Sequence, residues 1–247
     1  MIRRTWVEMG MPVTVCIQDA GARDDDVDAV ASWFAHVNRR FSTYVETSEV
    51  SRLNAGAIGR HEISAQLADI LMRCEQTKAE TGGYFDVVRG DRIDPSGLVK
   101  GWAIEHAGAL LSARGFANFF VDAGGDVQAV GRNAAGQPWR VGIRNPFKRD
   151  EQVKVLAISD RGVATSGTAV RGRHIYNPRQ AGSLATDVVS LTVIGPSIYD
   201  ADRFATAAFA MGPDGLAFIA SRANLAGYAI TADRMATYTP GFNHYVR

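Results

Sequence analysis

Asp202 and Thr206 stand four residues apart in the stretch ADRFATAAFAMG. On a helix, residues at i and i+4 share a face, so both side-chain oxygens point to one spot. A carboxylate and a hydroxyl are hard donors of the kind Mg2+ accepts. That ion commonly takes one or two carboxylates and completes its shell with water and ligand phosphates. The same two residues also suit a structural role. Asp202 fits the first turn of a helix, where negative charge is favoured, and Thr206 fits a small polar position on a packed face.

A second group of residues suits an anion. In DPSGLVKGWAIEHAG, Lys100 lies between Gly97 and Gly101 where a loop reads into a helix. Unpaired N–H groups and the helix dipole favour a phosphate at such a junction, and Lys100 would add a point charge. The alternative is a solvated lysine on a turn. The stretch is not a Walker A loop, because Gly101 and Trp102 follow the lysine where Ser or Thr is required, and no G-x-G-x-x-G follows a strand. Glycine-bearing segments recur at Asp94–Gly101, Asp122–Asp126, Ala164–Gly167 and His174–Gly182. Glycine lets a backbone approach a ligand closely, and several such loops together make a site for a large anionic ligand. His174 has Arg171, Arg173 and Arg179 near it in sequence, and arginines pair well with phosphates. A triad of Ser166, His174 and an aspartate lacks the nucleophile elbow such a serine needs.

These residues need elements to carry them. MPVTVCIQD alternates and is β-branched, so it reads as a strand. The next stretch, DDVDAVASWFAHVNRRFSTY, places Val27, Val30, Trp33, Phe34, Val37 and Phe41 at helical spacing, with Asp24–Asp26 as N-cap candidates. SAQLADILMRCEQTKAETGG is a second helix, capped by Ser64 and stopped at Gly82–Gly83. LVKGWAIEHAGALLSARG is a third, ending at Gly115. FANFFVDAGGDVQAVG reads as a hairpin bent at Gly124–Gly125, and WRVGIRNPF, KVLAISDRGVATSG and LATDVVSLTVIGP continue the strands. ADRFATAAFAMG and DGLAFIASRAN are helices, and GYAITADRMATYTPGF is a last hairpin. Helices and strands do not alternate strictly, so the expected class is α+β rather than a doubly wound parallel sheet. The order hints at two half-units. No linker divides the chain, which predicts one domain over residues 1–247.

Composition narrows the function classes. The chain is 46% hydrophobic and 21% charged with a formal net charge of +1, and it shows no basic stripe of the kind nucleic acid selects. Cys16 and Cys74 form neither a metal-spaced set nor a disulfide framework. No window approaches the roughly 18 apolar residues of a membrane span, and the N-terminus lacks the apolar block of a signal peptide. A cytoplasmic location is expected.

Taken in order, several segments resemble the ApbE family, the FAD:protein FMN transferases. Met9–Gly10 opens a strand like that family's N-terminal one. Phe41–Tyr44 followed by Ser48–Asn54 resembles its STY…SELSRLN stretch, and Gly83–Asp86 matches GxFD. DPSGLVKGWA is similar to DLGGIAKGYA, and DAGGDV to NxGGDI. VATSG, HIYNPRQAG and ADRFATAAFAMG resemble ATSG, HIIDPRTG and ADALATALFVMG. The resemblance spans nearly the whole chain. It implies a T-fold-like α+β architecture of largely antiparallel sheets packed with helices. The implied activity is Mg2+-dependent transfer of FMN from FAD to a threonine of an acceptor flavoprotein, with release of AMP. The implied metal ligands are Asp202, Thr206 and a backbone carbonyl, assigned here to Gly97. Catalytic roles fall on His174, Asp202 and Lys100. The implied flavin site takes Tyr44, Phe85, Gly97, Lys100, Asp122, Gly124, Gly125, Thr165, Ser166, Gly167 and His174, with Trp102 as a further apolar wall. Seven residues separate Asp86 from Asp94, fewer than is usual in the family, and Asn177 stands where it has an aspartate before Pro-Arg.

Overall fold

An antiparallel sheet of eight strands runs through the chain. The structure, a computed structural model, describes residues 1–168, 176–180 and 186–247, with every side chain among them except that of Arg149. The elements in order are β1 (Ile2–Glu8), β2 (Met11–Ile17), α1 (Asp24–Phe41), α2 (Glu49–Asn54), α3 (Ala65–Glu80), the short ribbon β3 (Val88–Arg89) and β4 (Arg92–Ile93), and α4 (Ser96–Ala113). Then come β5 (Phe119–Ala123), β6 (Asp126–Val130), β7 (Trp139–Asn145), β8 (Lys148–Ile158), β9 (Arg161–Gly167) and β10 (Val188–Gly195). The chain ends with α5 (Ile198–Met211), α6 (Gly215–Ala220), β11 (Ala226–Thr231) and β12 (Ala236–Tyr238).

The large sheet has the order β1-β2-β5-β6-β9-β10-β11-β12, with every neighbouring pair antiparallel. Two strands, a helical excursion and two more strands make up each half. The hint of half-units in the sequence therefore corresponds to a repeat of topology. α4 and α5 pack against each other and on the inner strands of the same face.

Burial explains the layering. Val27, Val30, Phe34, Val37 and Phe41 of α1 point into a core shared with α4, α5 and one face of the sheet. Trp33 is only half-buried, and its indole N–H donates to the Ala103 carbonyl at 2.9 Å. The other face is covered by the β7–β8 hairpin. There Trp139, Val141 and Ile143 alternate with outward Arg140, Gly142 and Arg144, as a half-buried strand requires. Among the described residues no helix is long and apolar enough to cross a membrane.

Several boundaries differ from the sequence reading. β1 pairs along its whole length with β2 through a turn at Met9 and Gly10, both at positive φ. Its charges at Arg3, Arg4 and Glu8 obscure the alternation. The N-cap of α1 is Arg23 rather than Asp24–Asp26, and the third acid works from inside the helix, its Oδ2 accepting from the Arg23 N–H at 2.8 Å. Ala164–Gly167 lies within β9 and is not a loop. α4 begins at Ser96, two residues before the start read from LVKGWAIEHAG, which takes Gly97 into the helix and sets Lys100 in its second turn. α5 begins at Ile198, which makes Asp200 the first-turn acid and sets Asp202 further in. Ser64 does cap α3, accepting from the Leu67 N–H at 3.1 Å. Ser64→Ala is expected to cost about 1 kcal/mol, read as a lower urea midpoint with an unchanged m-value.

Candidate active site

Glycine sets the distance between α4 and α5. A Cβ on Gly101 would lie 2.7 Å from Asp202 Cβ and 2.9 Å from the Ile198 carbonyl oxygen. One turn earlier, a Cβ on Gly97 would lie 3.3 Å from Phe85 and 3.4 Å from Thr206 Cγ2. Two glycines four apart thus let one helix backbone rest on the residues of the other that carry the chemistry. The start of α5 is fixed separately. Ser197 Oγ accepts from the Asp200 N–H at 3.2 Å, and Gln128 Oε1 of β6 accepts from the Ile198 N–H at 2.8 Å. Both satisfy donors that a helix N-terminus leaves open.

Three charged groups meet at this contact. The Lys100 ammonium pairs with Asp126 Oδ2 and lies 3.3 Å from Asp202 Oδ1. Both carboxylates are almost wholly buried, and the lysine is 19% exposed. The other oxygen of Asp126 accepts from the Thr165 N–H at 3.0 Å. Burial pushes the Asp202 carboxyl up from its ordinary range; Lys100 opposes the rise and the Asp126 charge adds to it. Asp202 Oδ2 also accepts from the Gly101 N–H at 2.8 Å. In a regular α-helix that N–H is directed at the carbonyl of Gly97. The carboxylate competes for it, so the Gly97 oxygen is less committed to the helix than its neighbours.

These donors suit Mg2+. A carboxylate, a hydroxyl and a backbone carbonyl are hard oxygens, and Thr206 makes no side-chain hydrogen bond among the described residues. No group of three or more His, Cys, Asp or Glu side chains among the described residues is placed to hold a metal ion. A cation here would be completed by water and ligand oxygens, as Mg2+ usually is.

The cluster lines a cavity of about 590 Å3, within the usual range for small-ligand sites. Gly97, Lys100, Asp202 and Thr206 contribute to the lining together with Asp122, Gly124, Gly125, Thr165, Ser166 and Gly167. Gly124 and Gly125 turn at φ +67° and +100°, and the Gly125 N–H returns to Asp122 Oδ1 at 2.9 Å. Burial pushes the Asp122 carboxyl up; the Gly125 N–H works against this, Asp126 adds to it, and Arg144 and Arg3 lower it.

Other expected residues lie elsewhere. Tyr44 is 95% exposed and does not line this cavity. Phe85 is buried behind Gly97, and Trp102 packs between Trp33 and Phe41, so neither ring lines it. His174 lies outside the described residues. The sequence reading missed Asp126 as a charge partner and missed the cavity's far wall, built by Arg3, Phe120, Trp139, Arg140, Arg144 and Gln152. Arg3 stacks over Phe120, which meets Trp139 edge-on at 5.2 Å. The signal for Asp126 was present, since it closes the DAGGDV turn. The far wall depends on how the β7–β8 hairpin folds over the sheet, which no local pattern gives.

A buried acid and a half-buried alcohol lining a glycine-bearing cavity define an α+β protein with a candidate site for a cation and an anionic ligand. The ApbE family model matches residues 9–91 and 87–229, and the chain belongs to that family. A FAD:protein FMN transferase of Escherichia coli K12 is 31% identical over 150 residues, which is 57% of this chain and 43% of that protein. One from Haemophilus influenzae is 25% identical over 258 residues, covering 78% of this chain and 75% of its own. The match thus spans less than half the length of the Escherichia coli relative. Among solved structures, the flavin transferase ApbE from Vibrio cholerae superposes with a TM-score of 0.85 at 23% identity, covering 99% of this chain and 98% of that one. The ApbE protein from Thermotoga maritima gives 0.88 at 20% identity, covering 100% and 99%. The α+β fold is that of these structures.

Proposed function

We propose that this chain is a Mg2+-dependent FAD:protein FMN transferase. It would move FMN from FAD to a threonine hydroxyl of an acceptor flavoprotein and release AMP. The observation that carries this reading is the Asp202, Thr206 and Gly97 donor set, with Lys100 beside it, lining one glycine-bearing cavity. The names of the relatives support it.

In the reaction, the acceptor oxygen bonds to the FMN-side phosphorus, the diphosphate P–O bond breaks, and AMP leaves with the electron pair. Such a step needs positioning and charge neutralisation more than covalent help. Gly97, Asp202 and Thr206 would hold Mg2+, which when bound offsets charge on the phosphate oxygens. Lys100 contributes an ammonium that Asp126 keeps beside Asp202. The turn at Gly124–Gly125 brings backbone close to the ligand. The hydroxyl proton passes to a base. Asp122 lines the cavity with its carboxyl raised by burial, which suits that role; His174 is the other candidate, on the family resemblance.

The test is incubation with FAD and Mg2+, with and without a peptide bearing an acceptor threonine. Covalently fluorescent peptide with stoichiometric AMP is expected. FMN plus AMP without peptide would make the chain an FAD pyrophosphatase. Intact FAD retained on the protein would make it a binding protein without chemistry.

A further inference from the structure

We propose that Lys100 occupies the place of the divalent cation's charge until a diphosphate arrives, and that Asp126 holds it there. The proposal rests on the reading of Asp202, Thr206 and Gly97 as the cation's ligands. Asp126 and Asp202 are each 4% exposed at the side chain, and one ammonium contacts both. Two carboxylates at that depth without a cation would be costly, through lost hydration and mutual repulsion. Lys100 offsets one of the two negative charges within the protein itself.

The two partners are not equivalent. Asp126 belongs to the sheet: its second oxygen is held by the Thr165 N–H, and Thr165 Oγ1 in turn meets Thr192 Oγ1 at 2.9 Å. Asp202 belongs to α5, with its second oxygen held by Gly101 of α4. Of its two contacts the ammonium makes the closer one with Asp126, while Asp202 Oδ1 lies at 3.3 Å, so the lysine can leave Asp202 and keep Asp126. A cation arriving alone gains a single carboxylate, a hydroxyl and a carbonyl, and meets an ammonium a few ångströms away. Like charges at that separation repel strongly at the effective dielectric of a protein. A diphosphate reverses the balance, because its oxygens bind the cation and receive the ammonium together. Cation and diphosphate thus enter as a pair, and Lys100 couples them.

The test measures Mn2+ binding to the full chain by the electron paramagnetic resonance of the free ion, with and without FAD, against a protein-free FAD blank. In the unaltered protein FAD tightens Mn2+ binding. Lys100→Met should tighten Mn2+ binding without FAD by about tenfold or more and shrink the effect of FAD. Lys100→Gln, which keeps a donor towards Asp126, should do the same and serves if the methionine variant does not fold. Asp126→Asn, leaving Lys100 to Asp202 alone, should weaken binding without FAD. Persistence of FAD-dependent Mn2+ uptake in Asp202→Asn would overturn the reading of the site. If Asp202→Asn loses that uptake but neither lysine variant binds Mn2+ more tightly, the Lys100 proposal alone is overturned.

Discussion

Asp202→Asn should lower FAD-dependent AMP release by at least about 100-fold, since even outer-shell partners of a metal typically cost 10–100-fold when removed. The fold should survive the change. Asparagine has nearly the same shape, and its side-chain oxygen can still accept from the Gly101 N–H that Asp202 now holds at 2.8 Å. Lys100 keeps its pair with Asp126. The substitution also removes one of two buried negative charges sharing one ammonium, so their mutual repulsion is lost. It leaves no unpaired buried charge of the kind that makes removal of a buried partner costly. The thermal midpoint is therefore expected to hold or rise while turnover falls. That separation of stability from activity marks a residue retained for chemistry. A parallel fall in midpoint and activity would assign Asp202 to packing.

Gly101→Ala should be destabilising by about 1–3 kcal/mol, the usual cost of overpacking, although alanine is the better helix former by about 1 kcal/mol. Sterics outweigh propensity here because the atoms in the way are a carbonyl oxygen at 2.9 Å and the Asp202 Cβ at 2.7 Å, neither at the end of a flexible side chain. The helices must separate, and Asp202 moves with α5, so Mn2+ affinity falls as well. Gly108, lower on the same helix, is the control. A Cβ there meets Gln128 Cγ at 3.6 Å and Phe119 at 3.7 Å, ordinary contact distances. Gly108→Ala should then be neutral or stabilising by up to about 1 kcal/mol. Opposite signs for one substitution at two sites of one helix, read by urea unfolding, would locate the close contact at the site end. Equal effects would mean that α4 tolerates or rejects alanine along its length.

Local periodicity carried part of this arrangement. The i, i+4 spacing of Asp202 and Thr206 is a property of a single helix, so both were legible once ADRFATAAFAMG read as helical. Ser64 and the Gly124–Gly125 turn were legible for the same local reason. Lys100 was not. Its partners lie on β6 and α5, and the hydrogen bond from Gly101 to Asp202 joins residues 101 apart in sequence. The start of α4 was misplaced because Pro95, Ser96 and Gly97 read as loop. Gly97 is a poor helix residue by propensity, kept where Phe85 and Thr206 leave little room for a side chain. Tyr44 shows the converse. The motif around it matches the family, but in this chain the ring stands in solvent, 95% exposed.

On the proposed function, Asp202, Thr206 and the Gly97 carbonyl hold a divalent cation in the cavity. The most direct measurement is the anomalous scattering of Mn2+ in crystals soaked with Mn2+ and FAD. A single strong peak is expected within about 2.0–2.6 Å, the span of Mg2+ and Ca2+ oxygen distances, of Asp202 Oδ, Thr206 Oγ1 and the Gly97 oxygen, with phosphate oxygens completing its shell. A peak elsewhere in the molecule, or FAD seated in the cavity with Lys100 still against Asp202 and no cation beside it, would contradict it.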